Sequence, residues 1–410
     1  MAKKVIVIGA GASGLMAAGR AAERGYEVLL FDKNAKVGRK LMITGKGRCN
    51  LTNYCTDMSE LMDNIPQNNR FLYSAFSNFM PSDIMAFYEN LGVKLKVERG
   101  NRVFPVSDKA SDIVDALKKY IDLNRVKFIK SDVKKILTKD QKATGIITKD
   151  GEKYLADAVV LASGGLSYPL TGSNGDGYEM AKKLGHHITD LRPSLIGLIC
   201  TDGWLGDAAG LSLRNISIKI TDREKNKKVY EDFGELLITH KGVSGPVILS
   251  ASAHLKDMKT DKYEISIDLK PALSESKLDD RLLREINKNG QKEIKTVIAS
   301  LVPSSLINVI LKKCGLSGKE KCAVISKEIR KKIALNLKDF RLDVKDFCPI
   351  EEAVITRGGI DIKEINPKTM ESKIVKDLYF TGEIIDVDGY TGGFNLTIAF
   401  ATGNLAGISI

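Results

Sequence analysis

The sequence predicts an α/β protein: a doubly wound domain assembled from both ends of the chain, interrupted by a β-rich insert that itself holds a helical segment. Three observations predict it. KVIVI at residues 4–8 is a β-branched run that ends in GAGASG and continues as LMAAGRAAERG, with apolar and small residues at helical spacing, before a second buried run, EVLLFDK; together these make a βαβ unit. Near Pro193 the pattern changes to apolar–polar alternation, with Ile216, Ile218 and Ile220 in ISIKIT and Ile265 and Ile267 in YEISIDL, as half-buried antiparallel strands require. After Cys348 the chain returns to short apolar strands and glycine loops.

The expected boundaries are residues 1–192 and 349–410 for the two parts of the nucleotide-binding domain, 193–272 and 338–348 for the β-rich insert, and 273–337 for the helical segment. Residues 75–120 read as a helix (PSDIMAFYENLG), a hairpin turning at Gly100 and Asn101, and an amphipathic helix (SDIVDALKKYI). Residues 126–161 read as short strands turning at KDQKA and KDGEK and ending in ADAVVLAS. In the insert, SGPVILSASAHL reads as a helix capped by Ser244 with Pro246 in its first turn. Residues 273–337 carry helical periodicity broken at NKNG and at 302–305.

At 410 residues the chain exceeds the size at which one hydrophobic core keeps growing. No apolar run approaches the roughly 18 residues that span a bilayer, and MAKKVIVIGAG runs into glycines with no small-residue cleavage site, so a cytoplasmic location is expected. Six cysteines (Cys49, Cys55, Cys200, Cys314, Cys322, Cys348) contain no CxxC pair, which argues against a zinc site or a disulfide framework; no metal is expected. The net charge of +12 is spread along the chain, and its densest pieces, KEIRKKIALNLKDFR and TDREKNKK, read as solvated surface. Attraction to dinucleotide phosphates, or to RNA, is the alternative.

Gly9, Gly11 and Gly14 follow the first strand and open the helix, and Asp32 ends the second strand. In this Rossmann-like arrangement Gly9 permits the tight turn, Gly11 the approach of a pyrophosphate, and Gly14 close helix–strand packing, while Asp32 accepts from ribose hydroxyls. Three further pieces favour FAD over NAD as the resident dinucleotide. VGRKLMITGKGRCNLTN (37–53) can wrap phosphates and the flavin edge; VVLASGG delivers small residues at Ser163, Gly164 and Gly165; and LYFTGE leads into GYTGGFNLTIAFATGNLAG, whose helix N-terminus can face the electron-rich side of a flavin. Glu383 is placed to hold a ribityl hydroxyl.

Taken with RVFPVSDKASD, ITHKGVSGP, EEAVITRGG and GEIIDVDGYTGGFN, these pieces resemble the BaiN-like and YhiN-like group of NAD(P)/FAD-dependent oxidoreductases, within the glutathione-reductase-like flavoproteins, from Gly9 to Gly403. The resemblance implies a split FAD-binding domain, a β-barrel-like insert and a nested helical subdomain. It implies FAD contacts at Gly9, Gly11, Ala12, Ser13, Gly14, Asp32, Lys33, Arg39, Lys40, Gly47, Arg48, Val133, Ser163, Gly164, Gly382, Glu383, Gly393, Asn395 and Leu396. Ser163 stands where related flavoproteins often carry Thr, and keeps the hydroxyl.

The resemblance also implies a reaction: reduction of a conjugated C=C in a 3-oxo steroid or bile-acid-like compound, with NAD(P)H as transient donor, or else oxidation of a small amine of the aminoacetone type. His240, beside Lys241 in a turn, is the candidate proton donor; His186 and His187 read as surface residues, and Cys49 has no partner for a redox pair. A third reading is an RNA-binding flavoprotein with the basic β-rich insert as its module. A single Trp204 and sparse aromatics count against it, so the expected partner is a small molecule, with no stable nucleic acid and no membrane. Only one GxGxxG is present, so a nicotinamide is expected to enter by the same opening as the substrate.

Overall fold

The computed structural model describes residues 3–410. They form two compact units: the residues up to Ser194 together with Pro349–Ile410, and Leu195–Cys348.

The first unit is built on a five-stranded parallel sheet in the order Leu378–Phe380, Ala158–Leu161, Lys4–Ile8, Glu27–Asp32, Lys127–Lys130. VIVI, VLLF and AVVL lack alternation because both faces are covered, and Val5, Val7, Leu30 and Val160 are fully buried. One edge strand comes from the far end of the chain, which is the physical content of the split domain. The final helix, Phe394–Ser409, is buried along most of its length and lies against the first helix, Ala12–Glu23. A Cβ on Gly403 would come within 2.4 Å of the Ser13 carbonyl oxygen, so small residues set this spacing.

The hairpin at Gly100 and Asn101 joins Leu95–Glu98 to Arg102–Pro105, both turn residues being left-handed. Val133–Lys139, Lys142–Thr148 and Lys153–Leu155 form the antiparallel meander, turning at Asp140–Gln141 and near Gly151. The segment expected to open that meander, Lys127–Lys130, instead extends the parallel sheet beside Glu27–Asp32; a four-residue strand carries too little periodicity to choose its sheet.

The second unit is a closed six-stranded barrel, in the order Leu198–Cys200, Gly242–Ser244, Lys227–Thr239, Ser212–Asp222, Tyr263–Asp268, Phe340–Phe347. The alternating Ile216, Ile218, Ile220, Ile265 and Ile267 are its buried side chains. Between its last two strands in sequence lie the helices Glu275–Lys288, Ile294–Ala299, Ser304–Cys314 and Lys327–Lys338.

Two expectations are corrected. Helix Pro246–Ser252 starts on Gly245, at φ 93°, and Ser244 does not cap it; Ser244 is held in the barrel ladder opposite Leu237. His186 is buried, not a surface residue: Nδ1 lies 3.0 Å from Glu364 Oε2, Nε2 lies 2.9 Å from Ser372 Oγ, and the ring meets Phe380 edge-on. Burial holds its pKa below the ordinary 6.5. No helix among the described residues is long and apolar enough to cross a membrane.

Candidate functional site

The glycine loop shows three different uses of a missing side chain. Gly9 has φ 103°, and a Cβ there would sit 2.4 Å from the Ala162 carbonyl oxygen; at Gly14 it would sit 1.9 Å from the Gly9 oxygen. Those two glycines let the turn, the helix and the neighbouring strand close on one another. A Cβ on Gly11 would meet nothing within 4 Å, so Gly11 faces open space. The helix starting there has no side-chain cap, and its first internal bond is Leu15 N to Gly11 O, which leaves its first amides and positive dipole end to an outside acceptor.

Asp32 is fixed before any ligand arrives. Oδ2 accepts from Ala10 N at 2.8 Å, and Oδ1 accepts from Asn34 N and Asn34 Nδ2. Asn34 in turn accepts from Arg39 at 2.6 Å and donates to Thr171 O, while Gly38 N donates to Ala10 O. The GRK loop is thereby tied to the glycine loop. Lys33 lies 3.7 Å from Asp176.

Four segments distant in sequence meet at Glu383. Lys40 Nζ is 2.6 Å from both Glu383 Oε2 and Ser167 Oγ; Glu383 Oε1 accepts from Ser167 Oγ at 2.8 Å and from Thr356 N at 2.9 Å. Thr356 Oγ1 accepts from Leu166 N and Ser167 N. A Cβ on Gly165 would lie 2.4 Å from Thr356 Oγ1, which explains the glycine pair ending VVLASGG. Just before it, the Ser163 hydroxyl is buried with no partner among the described residues, a cost of about 1–3 kcal/mol unless a ligand supplies one. Gly382 N donates to Thr402, and Ser13 Oγ to Thr381 O, joining this cluster to both helices.

The final helix also starts on a glycine without a side-chain cap: Gly393, at φ 106°. The GRCNLTN segment clamps that start. A Cβ on Gly393 would lie 2.4 Å from Thr52 O, Asn53 Nδ2 donates to Gly392 O, Thr52 Oγ1 is 2.8 Å from Thr397 Oγ1, and Asn50, with its amide turned, accepts from Gly393 N. Asn395 closes the preceding loop through Gly389 N and O, and Leu396 is half-buried.

Not every expected contact residue falls in this cluster. Arg48 is taken up by Glu98 and Asp108 and stacks over Phe104 with its guanidinium 4.1 Å from the ring centre; both acids raise its pKa. Gly47 precedes it at φ 83°, and Val133 is a buried strand residue of the meander. Gly164 has φ 76° beside Ser173. Cys49 is buried, which pushes its thiol up to about 12, so it holds its proton at neutral pH. His240 lies in the second unit, exposed, in the turn between Lys227–Thr239 and Gly242–Ser244.

Sequence reasoning passed over Asn34, Ser167 and Thr356, although each sits inside or beside a motif it singled out. It also missed a buried ion pair, Arg357 Nε to Asp388 Oδ1 at 3.0 Å, with Ser194 donating to Asp388. The Asp386 carboxyl, which burial pushes above its ordinary value, receives Gln67 Nε2.

Two uncapped helix starts, an open glycine, an orphaned buried hydroxyl and a fixed acid suit a ligand that is extended, anionic in the middle and hydroxyl-bearing. These features and the fold define an FAD-dependent oxidoreductase. Within that class the chain belongs to the HI0933-like Rossmann-domain family, whose model matches residues 3–409. It is similar to the 3-dehydro-bile acid delta(4,6)-reductase of Clostridium scindens, 29% identical over 408 residues and 98% of each chain. It is also similar to the ribosomal RNA dihydrouridine synthase of Haemophilus influenzae, 30% identical over 415 residues, 99% of this chain and 98% of the relative. Among solved structures, the 3-ketosteroid delta1-dehydrogenase of Sterolibacterium denitrificans in complex with 1,4-androstadiene-3,17-dione shares the fold at TM-score 0.51 and 13% identity, over 99% of both chains.

Proposed function

We propose that the protein adds hydride and a proton across a carbon–carbon double bond conjugated with a carbonyl group. One observation carries this reading: the chain aligns end to end with two relatives whose names denote different substrates but one chemistry. A delta(4,6)-reductase of a 3-dehydro bile acid and a synthase of dihydrouridine both saturate a C=C conjugated with a carbonyl.

FAD, when bound, supplies a two-electron carrier between a reduced nicotinamide and the substrate. This chain's residues hold it. Gly11 and the amides of Ala12, Ser13 and Gly14 receive the pyrophosphate, Asp32 the ribose, and Ser163 gains the partner its hydroxyl lacks. Lys40, oriented by Glu383 and Ser167, presents a cation that the protein has already positioned, and the Phe394–Ser409 N-terminus offers its amides to the electron-rich edge of the flavin.

With a single dinucleotide fingerprint, nicotinamide and substrate are proposed to exclude one another. Steady-state rates at varied NADH or NADPH and varied 3-oxo-delta(4,6) bile acid should give parallel reciprocal lines. Intersecting lines with a trapped ternary complex would reject the shared opening. Bleaching of the flavin by aminoacetone, with neither nicotinamide effective, would put amine oxidation in place of C=C reduction.

A further inference from the structure

We propose that the helical segment of residues 273–338 is a docking surface for structured RNA, made by the lysines of two abutting loops. The proposal rests on the reductive reading above, in which uracil within RNA is one bearer of the conjugated double bond.

The segment holds fifteen Lys and Arg against seven Asp and Glu, a surplus of eight within the chain's net +12. Its loops at 289–293 and 315–326 are sewn together by the backbone: Ile294 N donates to Glu320 O, Cys322 N to Lys292 O and Ala323 N to Gly290 O, at 2.8–3.0 Å. This brings Lys292, Lys295, Lys319 and Lys321 onto one patch with Lys288 at its edge, all exposed. None of the five makes an ion pair among the described residues, whereas Lys96, Lys118 and Lys149 of the first unit each have an acid within 2.7 Å. Of the two acids in the patch, Glu320 is spent inside its own loop, accepting from Ser317 N, Ser317 Oγ and Gly318 N; those bonds lower its pKa to about 2. Glu293 alone is left against five cations.

The composition says what kind of polyanion fits. Residues 273–338 contain no Phe, Tyr or Trp, so the surface has no platform on which single-stranded bases could stack and none of the aromatic anchors of a membrane-surface helix. Lysine point charges without aromatics suit the phosphates of a folded, base-paired RNA read by shape.

The test is binding of a labelled RNA hairpin of about 16 base pairs, the span of a module that reads two minor grooves, to the FAD-loaded full chain over a salt series. The variant K292E/K295E/K319E/K321E should bind at least about tenfold more weakly, with its log–log salt slope shallower by about 3, at roughly 0.7–0.9 for each phosphate no longer neutralised. Flavin content and thermal unfolding should not change. Lys292→Gln with Lys321→Gln, expected to give half the slope change, stands in if the reversal does not fold. Equal hairpin affinity of variant and wild type overturns the proposal, as does equal wild-type affinity for poly(U) or for phosphatidylglycerol vesicles. Reduction of a free steroid enone by the same proteins separates the two readings: lysine-dependent hairpin binding with no enone or uracil reduced keeps the surface and removes the reductive reading.

Discussion

The two helices of the first unit that start on glycine and the two of the nested segment that start on serine leave opposite things unsatisfied. Ala12–Glu23 and Phe394–Ser409 begin on Gly11 and Gly393 with no side-chain cap, whereas Glu275–Lys288 and Lys327–Lys338 begin on Ser274 and Ser326, whose hydroxyls accept from Lys277 N and Ile329 N. A missing cap costs about 1 kcal/mol. Charges run the other way: Lys40 in the first unit is locked to Glu383 at 2.6 Å, while Lys292, Lys295, Lys319 and Lys321 in the loops of the helical segment have no ion pair among the described residues. The first pair of helices keeps its opening amides free with Lys40 fixed nearby; the second pair satisfies its starts, and the lysines of the loops beside it are free. On the proposals above, each would serve an anion, one through the main chain and one through side chains.

The contrast can be challenged hardest at two glycines three residues apart. Gly14→Ala puts a Cβ 1.9 Å from a backbone oxygen, and should destabilise the flavin-free protein by about 3 kcal/mol or more, read by denaturant unfolding. Gly11→Val should leave that unfolding nearly unchanged and abolish flavin retention, because its side chain enters the open space a pyrophosphate would use. Full flavin occupancy in Gly11→Val would reject the cradle.

Next in size is the Glu383 cluster. Glu383→Ala strips Lys40, Ser167 and Thr356 N of their shared acceptor, and bonds to a charged group are worth about 1.5–3 kcal/mol; an apoprotein loss of about 2 kcal/mol is expected. A melting temperature equal to wild type, with flavin affinity alone reduced, would return Glu383 to direct ribityl binding. Asp32→Ala should weaken FAD by a comparable or smaller amount, about 1.5 kcal/mol or more, in a flavin fluorescence titration. An unchanged dissociation constant would move ribose recognition elsewhere.

A pH effect comes last in size. His186 is buried in the neutral form with its pKa below 6.5, so on acidification the unfolded chain takes up its proton first. Stability from this site is complete above about pH 6.5 and falls as the pH drops towards the lower folded value. His186→Gln should flatten that part of the melting-temperature curve; a wild-type curve flat across it would contradict the burial.

What the sequence made legible follows from what is local. Strand, glycines, helix, strand and acid are contiguous, so the βαβ unit and the roles of Gly9 and Gly14 could be read from neighbours. Alternation exposed the barrel strands for the same reason. His186 could not be placed, because its partners Glu364, Ser372 and Phe380 lie nearly 180 residues or more away. Thr356 lay inside a motif and Ser167 just beyond one, but neither could be read as a partner of Glu383, since only the fold brings the four segments together. Ser244 failed for a finer reason: a strand residue and a cap residue look alike until the ladder is known.

Hydride delivery to a C=C conjugated with a carbonyl is open to direct observation in a single turnover: photoreduce the holoenzyme without oxygen, mix it with a 3-oxo-delta(4,6) bile acid or a uracil-bearing RNA hairpin, and follow flavin absorbance and product mass together. The oxidised-flavin spectrum should return with one equivalent of product two hydrogens richer, one C=C reduced, from at least one of the two. Reduced flavin that persists with both, and reoxidises only when oxygen is admitted, would contradict the reductive reading.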